Sequence, residues 1–215
     1  MCISVDNEIL PTSSDNGMYW LIPDWSTLLP TAIPGNAQVM CALDFTLPAS
    51  SVCQAACPRH TLARVLQHAQ QTWALNFLVS FEVELVVMIA NPITGKMDKC
   101  SQGLGMLGMS GLRHPCYQYV EQCVTQLEAR GVNLQAIHTE GFRGQYKFAL
   151  APLPPPQAVD LLLLVHGYLK DIFSRQGYMV TVSPKPVASD PLANGQHTHI
   201  SLQPCWMRIL APSPR

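Results

Sequence analysis

Apolar side chains recur along the chain with two periods, one of two residues and one of about 3.6 residues. The two-residue period, with its β-branched and aromatic residues, predicts strands, because successive side chains of a strand point to opposite faces. The longer period predicts helices with one apolar stripe. Predicted strands cover residues 18–22, 37–43, 77–88, 133–140, 145–150, 178–182 and 197–202, and predicted helices cover residues 58–73, 115–130 and 155–176.

Proline, glycine and polar residues separate these segments and predict turns and loops. Residues 1–17 are polar and rich in turn formers, and residues 45–56 are predicted to be a loop. The first two strands are predicted to be joined across residues 23–27 and the turn at Pro34-Gly35-Asn36. Residues 91–112 are rich in glycine and methionine, so we predict a long loop that could act as a lid.

The composition is poor in charge for a chain with so many apolar side chains. Charged residues make up 13% of the 215 residues, hydrophobic residues make up 48%, and the formal net charge is -1. A surface with few charges favours association, so we expect a homo-oligomer. Because no basic stripe could follow a phosphate backbone, we expect no nucleic-acid partner.

No stretch of the sequence predicts secretion or a membrane span. The N-terminal segment is interrupted by Asp6, Glu8 and Pro11, so it lacks the pattern of a secretory signal. The most apolar run, residues 161–165, is far too short to cross a bilayer. We therefore expect a cytoplasmic protein with no membrane partner.

The eight cysteines raise the question of a metal site or a catalytic thiol. Cys53 and Cys57 are the closest pair, but no second pair or histidine cluster follows at the spacing of a zinc finger. Cys116 and Cys123 lie on a predicted helix at the spacing of a buried stripe. We interpret the cysteines as reduced, partly buried thiols, and no base or helix terminus marks one of them as catalytic.

Candidate chemistry lies on three predicted strands, each of which carries two polar residues two positions apart. Because such residues share one face of a strand, each pair can act on the same side of a sheet. Two carboxylates in an apolar run would repel each other, and a divalent cation would relieve that repulsion. A solvated edge strand explains the same pattern without any function. The pairs are Glu82 with Glu84, His138 with Glu140, and His197 with His199.

These pairs belong to a series of motifs that resembles the glutamine synthetase family. The motifs come in the family's order and spacing, and the resemblance covers roughly residues 18–203. Residues 19–43, which include Pro23-Asp24-Trp25-Ser26-Thr27-Leu28, are similar to the last segment of the family's small β-grasp domain. The later motifs are Phe81-Glu82-Val83-Glu84, His138-Thr139-Glu140 with Gly144-Gln145-Tyr146, Pro152-Leu153-Pro154 before a helix, Pro184-Lys185-Pro186, and Gly195-Gln196-His197-Thr198-His199-Ile200-Ser201-Leu202.

The resemblance implies an α+β fold, with an antiparallel sheet curved into part of the family's catalytic half-barrel and helices on its outer face. It also implies two regions: residues 1–46 as a remnant of the N-terminal β-grasp region, and residues 47–215 as a truncated catalytic domain. A sheet edge left open by the truncation would need a cover, which again favours a homo-oligomer.

The family joins ammonia to glutamate in an ATP-dependent reaction through a γ-glutamyl phosphate, with magnesium or manganese ions held by carboxylates and a histidine. The resemblance implies metal ligands at Glu82, Glu84, Glu140 and His197. It also implies a substrate or nucleotide region, to which we assign His138, His199, Ser201, Gln145 and Arg143.

One departure from the family pattern lies inside this implied metal site. Lys147 stands where the family continues with a second metal carboxylate. An ammonium at that place would repel a divalent ion and could pair with Glu84 or Glu140, which would replace the metal with a salt bridge. If a metal is retained, we therefore expect a single ion.

Two further departures concern the substrate loop and the nucleotide. The family's asparagine-glycine loop aligns with Leu192 and Ala193, and Asn194-Gly195 replaces it only if the loop shifts. The family's ATP-binding arginines belong to a following half that does not continue after Leu202. Phosphoryl transfer depends on such cations, so we do not expect this chain to make glutamine.

We therefore expect a glutamine synthetase-like enzyme that has lost ATP-dependent glutamine formation. It would carry out acid/base isomerisation, cyclisation, dehydration or condensation of a small molecule in a specialised biosynthetic pathway. We expect either no cofactor or a single Mg²⁺ or Mn²⁺, and no ATP requirement. Two alternatives stay open: a carboxylate-amine ligase completed by a partner chain, and a non-catalytic scaffold. The expected catalytic residues are Glu140, His197, Lys147, Glu82 and Glu84.

Overall fold

One long strand, β3, pairs with most of the other strands of its sheet. The computed structural model describes residues 21–43, 57–101, 103, 105, 108–187 and 193–204. The elements in chain order are β1 (Leu21–Pro30), β2 (Ala37–Leu43), α1 (Pro58–Trp73), β3 (Leu75–Ala90), β4 (Met97–Lys99), a 3₁₀ helix (Met109–Arg113), α2 (Tyr117–Glu128), β5 (Leu134–Thr139), β6 (Gln145–Leu150), α3 (Pro155–Ser174), β7 (Tyr178–Thr181) and β8 (Gln196–Pro204).

The larger sheet is open and mainly antiparallel. Its order is β4-β3-β6-β5, and β7 and β8 also pair with β3. The pairings of β3 with β4, β6 and β7, and that of β5 with β6, are antiparallel. Helices accompany antiparallel strands throughout the described residues, so the predicted α+β class is confirmed.

One face of this sheet is buried beneath two helices. Val83, Leu85 and Val87 alternate along β3 and are fully buried, because side chains two positions apart share a face. The opposite face is thereby left for the polar side chains of the same strands. The helical members of this core come from α2 and α3 and include Val120, Cys123, Leu127, Val165, Leu169 and Phe173.

The described chain divides into two compact units. The first contains residues 21–28, 39–43, 57–78 and 201–204, with helix α1. The second contains residues 29–38 and the described part of 79–200, with the buried core, α2 and α3. None of the described helices is long and apolar enough to span a membrane.

The first strand differs from its prediction, which ends it at residue 22 and places a connection over 23–27. The structure continues β1 through this stretch as Leu21–Pro30. Among the described residues β1 pairs with β2 alone, so it keeps a free edge at which Pro23 needs no hydrogen-bond partner. Thr27 Oγ1 also accepts a hydrogen bond from the Met40 backbone at 2.8 Å, which joins the two strands.

The long loop predicted over residues 91–112 contains regular structure. Asn91 Oδ1 accepts hydrogen bonds from the backbone N–H groups of Ile93 and Thr94 at 2.9 and 3.1 Å, which closes a tight turn after β3. Gly95 adopts a φ of 67° in the same turn. Strand β4 can therefore return beside the end of β3, and the 3₁₀ helix follows. The loops predicted over residues 1–17 and 45–56 lie outside the described residues.

Candidate active site

Three neighbouring strands bring the predicted polar residues to the face opposite the core. Lys147 lies on β6, between β3 and β5. In the strand registers it is directly opposite Glu84 on one side and His138 on the other. Residues directly opposite each other have neighbouring side chains, and a long side chain also reaches the diagonal positions. Lys147 is therefore placed to contact acidic groups from more than one strand.

The Lys147 ammonium contacts three carboxylates. Its Nζ lies 2.8 Å from Glu140 Oε1, 3.2 Å from Glu84 Oε1 and 3.3 Å from Glu82 Oε2. We call these four residues the Lys147 cluster. The two alternative pairings considered from the sequence, with Glu84 or with Glu140, are both present, and Glu82 is added to them.

The cluster is largely shielded from solvent. The side chain of Lys147 is 14% exposed and that of Glu84 is 9% exposed. Burial alone would lower the pKa of Lys147, but hydrogen bonds and the charges of Glu140 and Glu84 outweigh it and raise that pKa. Lys147 is consequently a permanent cation at neutral pH. Three carboxylates around one ammonium still leave the cluster with excess negative charge.

Two histidines extend the cluster towards solvent through Glu82. His197 Nδ1 lies 3.3 Å from Glu82 Oε2, and His199 Nε2 lies 3.1 Å from Glu82 Oε1. The hydrogen bond from His197 is the largest influence on the pKa of Glu82; with Lys147 and His199 it lowers that pKa against the opposing effect of burial. The carboxylate only accepts, so each ring donates one N–H to it and keeps its other nitrogen for a ligand.

A second wall is formed by the chain just before β8. The side-chain amide of Gln145 donates to Asn194 Oδ1 at 2.9 Å and to the Ala193 carbonyl at 3.2 Å. The backbone N–H of Gly195 donates to Glu84 Oε2 at 2.8 Å. The carboxylate of Glu84 is therefore held from two sides, by this N–H and by the Lys147 ammonium.

These groups border an open cavity of about 400 Å³. Known ligand pockets measure roughly 300–1,000 Å³, so the space suits a small molecule. A methyl group at Gly195 would lie 2.9 Å from His197 Nε2, so the bare backbone makes room for the imidazole. The lining consists of Glu84, Glu140, Gly141, Gln145, Ala193, Asn194, Gly195 and His197.

Three residues assigned to the substrate or nucleotide region stand outside this group of contacts. His138 Nδ1 is 3.6 Å from Glu140 Oε1, too far for a hydrogen bond, and its side chain is 42% exposed. Arg143 is exposed in the turn between β5 and β6. Ser201 is exposed on β8 and belongs to the first unit.

Asn194 has a role that the sequence analysis did not assign. Its Nδ2 donates to the carbonyl of Ser183 at 3.0 Å, and its Oδ1 accepts from Gln145. Asn194 thus links the second wall to Gln145 of β6 and to the segment that follows β7. The Asn194-Gly195 dipeptide was the available signal, since it marks a tight turn, but the dipeptide alone does not say which polar groups the turn will contact.

Comparisons with known proteins show which family the chain resembles. Residues 55–207 match the family model described as glutamine synthetase, catalytic domain. Protein fluG of Emericella nidulans is 26% identical over 203 residues, which cover 93% of this chain and 23% of that protein. Type-1 glutamine synthetase 1 of Dictyostelium discoideum is 24% identical over 156 residues, which cover 68% of this chain and 30% of that protein.

Solved structures show the same fold. A GmaS complex with ADP superposes with a TM-score of 0.76 at 19% identity, over 90% of this chain and 44% of that chain. A glutamine synthase homolog superposes with a TM-score of 0.72 at 19% identity, over 92% of this chain and 45% of that chain. This chain thus spans less than half the length of each of these relatives. The match to the catalytic-domain model covers most of its residues, and the chain belongs to the glutamine synthetase family.

Proposed function

We propose that this chain is a divergent glutamine synthetase-like enzyme that does not form glutamine with ATP. It performs acid/base chemistry on a small polar molecule, such as an isomerisation, cyclisation, dehydration or condensation in a specialised biosynthetic pathway. The observation that carries this proposal is the position of the Lys147 ammonium, which contacts one carboxylate from each of Glu82, Glu84 and Glu140.

The Lys147 cluster does not fit the divalent ion on which the family depends. Mg²⁺ and Ca²⁺ take carboxylate oxygens at roughly 2.0–2.6 Å and gather several of them around one centre. Here an ammonium already occupies the centre of the three carboxylates, at 2.8 to 3.3 Å. A divalent ion at the same place would be repelled by the Lys147 ammonium, which stays protonated at neutral pH.

The charge of the Lys147 cluster also argues against binding of a nucleoside triphosphate. ATP carries several negative charges, and the cluster has three carboxylates and only one ammonium to face them. Without a divalent ion between them, these charges repel. The excess negative charge instead favours a substrate that brings a cationic or proton-donating group into the cavity.

Proton transfer in this site would pass through the histidines. Both rings donate to Glu82, which orients them, and both side chains are more than half exposed. An imidazole oriented by a carboxylate can take a proton from a substrate and return it. Lys147 would hold the carboxylates in place, because a group whose pKa is raised remains protonated and makes a poor base.

Binding of metal and nucleotide tests the first part of the proposal. We expect no thermal shift of the wild-type chain with Mg²⁺ or Mn²⁺, with or without ATP. Lys147→Glu supplies the family's carboxylate and should gain a Mn²⁺-dependent shift, corresponding to about 2.7 kcal/mol of unfolding free energy at a hundredfold excess over Kd. Lys96→Met, on the exposed turn after β3, serves as the control.

A shift of the wild-type chain with Mn²⁺ and ATP together would contradict the proposal. The carboxylate-amine ligase completed by a partner chain would then be the better explanation. A shift with Mn²⁺ alone, unaffected by ATP, would keep the acid/base enzyme but replace the ammonium-centred site with a single-metal site.

Exchange of substrate protons with solvent tests the second part. Mixtures of small keto, imino and amino acids in D₂O would be followed by NMR for deuterium incorporation at carbon. We expect catalysed exchange by the wild-type chain, and a loss of about a hundredfold or more in His197→Gln, because general acid/base groups contribute about 10²–10⁴-fold. His68→Gln, an exposed histidine on α1, is the matched control. Exchange in His197→Gln as fast as in His68→Gln and the wild type would contradict the role assigned to His197. No exchange by the wild-type chain above the protein-free rate would favour the scaffold alternative.

The proposal keeps the expectation of a homo-oligomer in the cytoplasm. Exposed apolar side chains support the association, including Val65 at 57% and Trp73 at 61% exposure on α1. Sedimentation velocity at several concentrations checks it, and a concentration-independent monomer would contradict it.

A further inference from the structure

A second cluster of reactive side chains lies in the second unit and takes no part in the proposed chemistry. Cys100 directly follows β4, His114 follows the 3₁₀ helix, and Cys116 directly precedes α2. One donor atom from each residue lies within 4.8 Å of the other two. We call these three residues the Cys–His cluster. Two thiols and an imidazole are the donor set that zinc prefers.

The separation of the two sulfur atoms matches a shared metal ion. Cys100 Sγ and Cys116 Sγ are 3.8 Å apart. Two thiolates that each bind a tetrahedral zinc at about 2.3 Å are themselves about 3.8 Å apart. A ligand nitrogen of His114 lies within 4.8 Å of both sulfur atoms. As a third protein ligand it would leave a fourth position for water.

The backbone beside Cys116 also positions His114. His114 Nδ1 accepts a hydrogen bond from the Cys116 backbone N–H at 3.2 Å, which holds the imidazole next to the thiols. Thiolate and unprotonated imidazole are the forms that bind metal ions, so a bound ion would displace the thiol protons.

The surrounding backbone is shaped around the sulfur atoms. A methyl group added at Gly144 would lie 2.8 Å from Cys100 Sγ, so glycine makes room for that thiol. The Cys100 backbone N–H donates to the Val87 carbonyl at 2.9 Å, which fixes the residue against β3. The Tyr146 hydroxyl lies 3.5 Å from Cys116 Sγ and donates to the Gly111 carbonyl at 3.0 Å. The thiols are therefore held in place by groups outside the cluster.

We propose that Cys100, His114 and Cys116 bind a soft divalent cation of the zinc class. The ion would join the residue after β4 to the residue before α2. A disulfide would use the two sulfur atoms but would leave the convergence of His114 unexplained. This site is independent of the proposed acid/base chemistry, since it shares no residue with the Lys147 cluster.

Zinc and cobalt binding to the reduced full chain tests this proposal. Zinc would be titrated in competition with a chromophoric chelator, and Co²⁺ would be followed by its absorption spectrum. We expect about one ion per chain and a sulfur-to-cobalt charge-transfer band. Cys116→Ala and His114→Gln should each weaken zinc binding by at least about a hundredfold, since even the loss of groups outside the ligand shell costs about 10–100-fold.

Cys123→Ala is the matched control, because this residue is a buried thiol of the same helix. It should keep the affinity and the cobalt spectrum of the wild type, as should Cys41→Ala, which removes an exposed thiol. Circular dichroism checks that each variant is folded, and His114→Gln keeps the test available if the loss of a buried thiol disrupts the fold. Zinc affinity equal in His114→Gln and wild type would overturn the proposal. The proposal would also be overturned if the fully reduced wild-type chain bound neither zinc nor cobalt.

Discussion

Tyr146 and Lys147 are neighbours on β6, yet their side chains belong to two clusters of opposite chemistry. Lys147 points to the polar face and gathers three carboxylates around its ammonium. Tyr146 is fully buried among the core residues, and its hydroxyl reaches Cys116 of the Cys–His cluster. The alternation of a single strand thus separates a hard, oxygen-rich site from a soft, sulfur-containing one.

The difference between the clusters lies in how negative charge is balanced. The oxygen-rich site contains its own cation as a covalent part of the chain, so it needs no ion from solution. The Cys–His cluster holds two thiols and an imidazole, with neither lysine nor arginine among its three members. A cation from solution can therefore add to the second site without competing with an ammonium, whereas at the first site it must displace one.

Removal of the Lys147 ammonium should have the largest effect on stability. Lys147→Met leaves three carboxylates facing each other in a largely shielded place, and we expect a loss of about 3–5 kcal/mol in the free energy of unfolding at neutral pH. Urea denaturation measures it. The loss should shrink in acid, because protonated carboxyl groups no longer repel.

Lys96→Met provides the comparison for that variant, since the side chain is exposed and should change stability by less than about 0.5 kcal/mol. If Lys147→Met were within this margin as well, the three contacts of the ammonium would contribute nothing net. The claim that the Lys147 cluster is stabilised by its own cation, which sets it apart from the Cys–His cluster, would then be wrong.

Loss of the Tyr146 hydroxyl should have an intermediate effect on the free energy of unfolding. Tyr146→Phe leaves the Gly111 carbonyl without its 3.0 Å donor in the core, so we expect a loss of about 1–3 kcal/mol. Zinc binding should weaken by about 10–100-fold, because the hydroxyl also contacts Cys116 Sγ. Urea denaturation and the chelator competition measure the two effects separately.

Tyr117→Phe is the control for the hydroxyl, since its ring centroid is only 5.8 Å from that of Tyr146. If zinc binding were unchanged in both variants, the Tyr146 hydroxyl would have no influence on the Cys–His cluster. A loss of zinc binding without a loss of stability would show that the hydroxyl acts on the thiol alone.

Much of the polar face could be predicted from the sequence, because strand alternation and the family motifs both act locally. Glu82 and Glu84 were placed on one face by their spacing, and the departure at Lys147 predicted its pairing with a carboxylate. The contact of His197 and His199 with Glu82 could not be derived from spacing. It depends on the pairing of β8 with β3, which joins residues more than a hundred positions apart.

The Cys–His cluster was beyond reach of sequence reasoning for a related reason. Cys100 and Cys116 are separated by a stretch with no apolar period, and their spacing is not that of zinc-finger ligands. What joins them is the turn at Asn91, which returns β4 beside β3 and so carries Cys100 to the start of α2. The side-chain hydrogen bonds of Asn91 contribute to that turn, and no periodic pattern predicts them.

The smallest predicted effect concerns Glu82, the most exposed carboxylate of the Lys147 cluster. Its pKa is lowered in the folded chain, chiefly by the hydrogen bond from His197, so its contribution to stability is present above the unfolded pKa of about 4.3 and is lost as pH falls through the folded pKa. Glu82→Gln should therefore reduce the free energy of unfolding by up to about 1 kcal/mol at neutral pH. The difference from wild type should disappear in acid, as urea denaturation from pH 7 downwards would show.

Glu121→Gln, on the exposed side of α2, should instead follow the wild type at every pH. A Glu82→Gln variant more stable than wild type at neutral pH would mean that repulsion among the carboxylates outweighs the attraction of the cation, and the charge balance assigned to this cluster would be wrong.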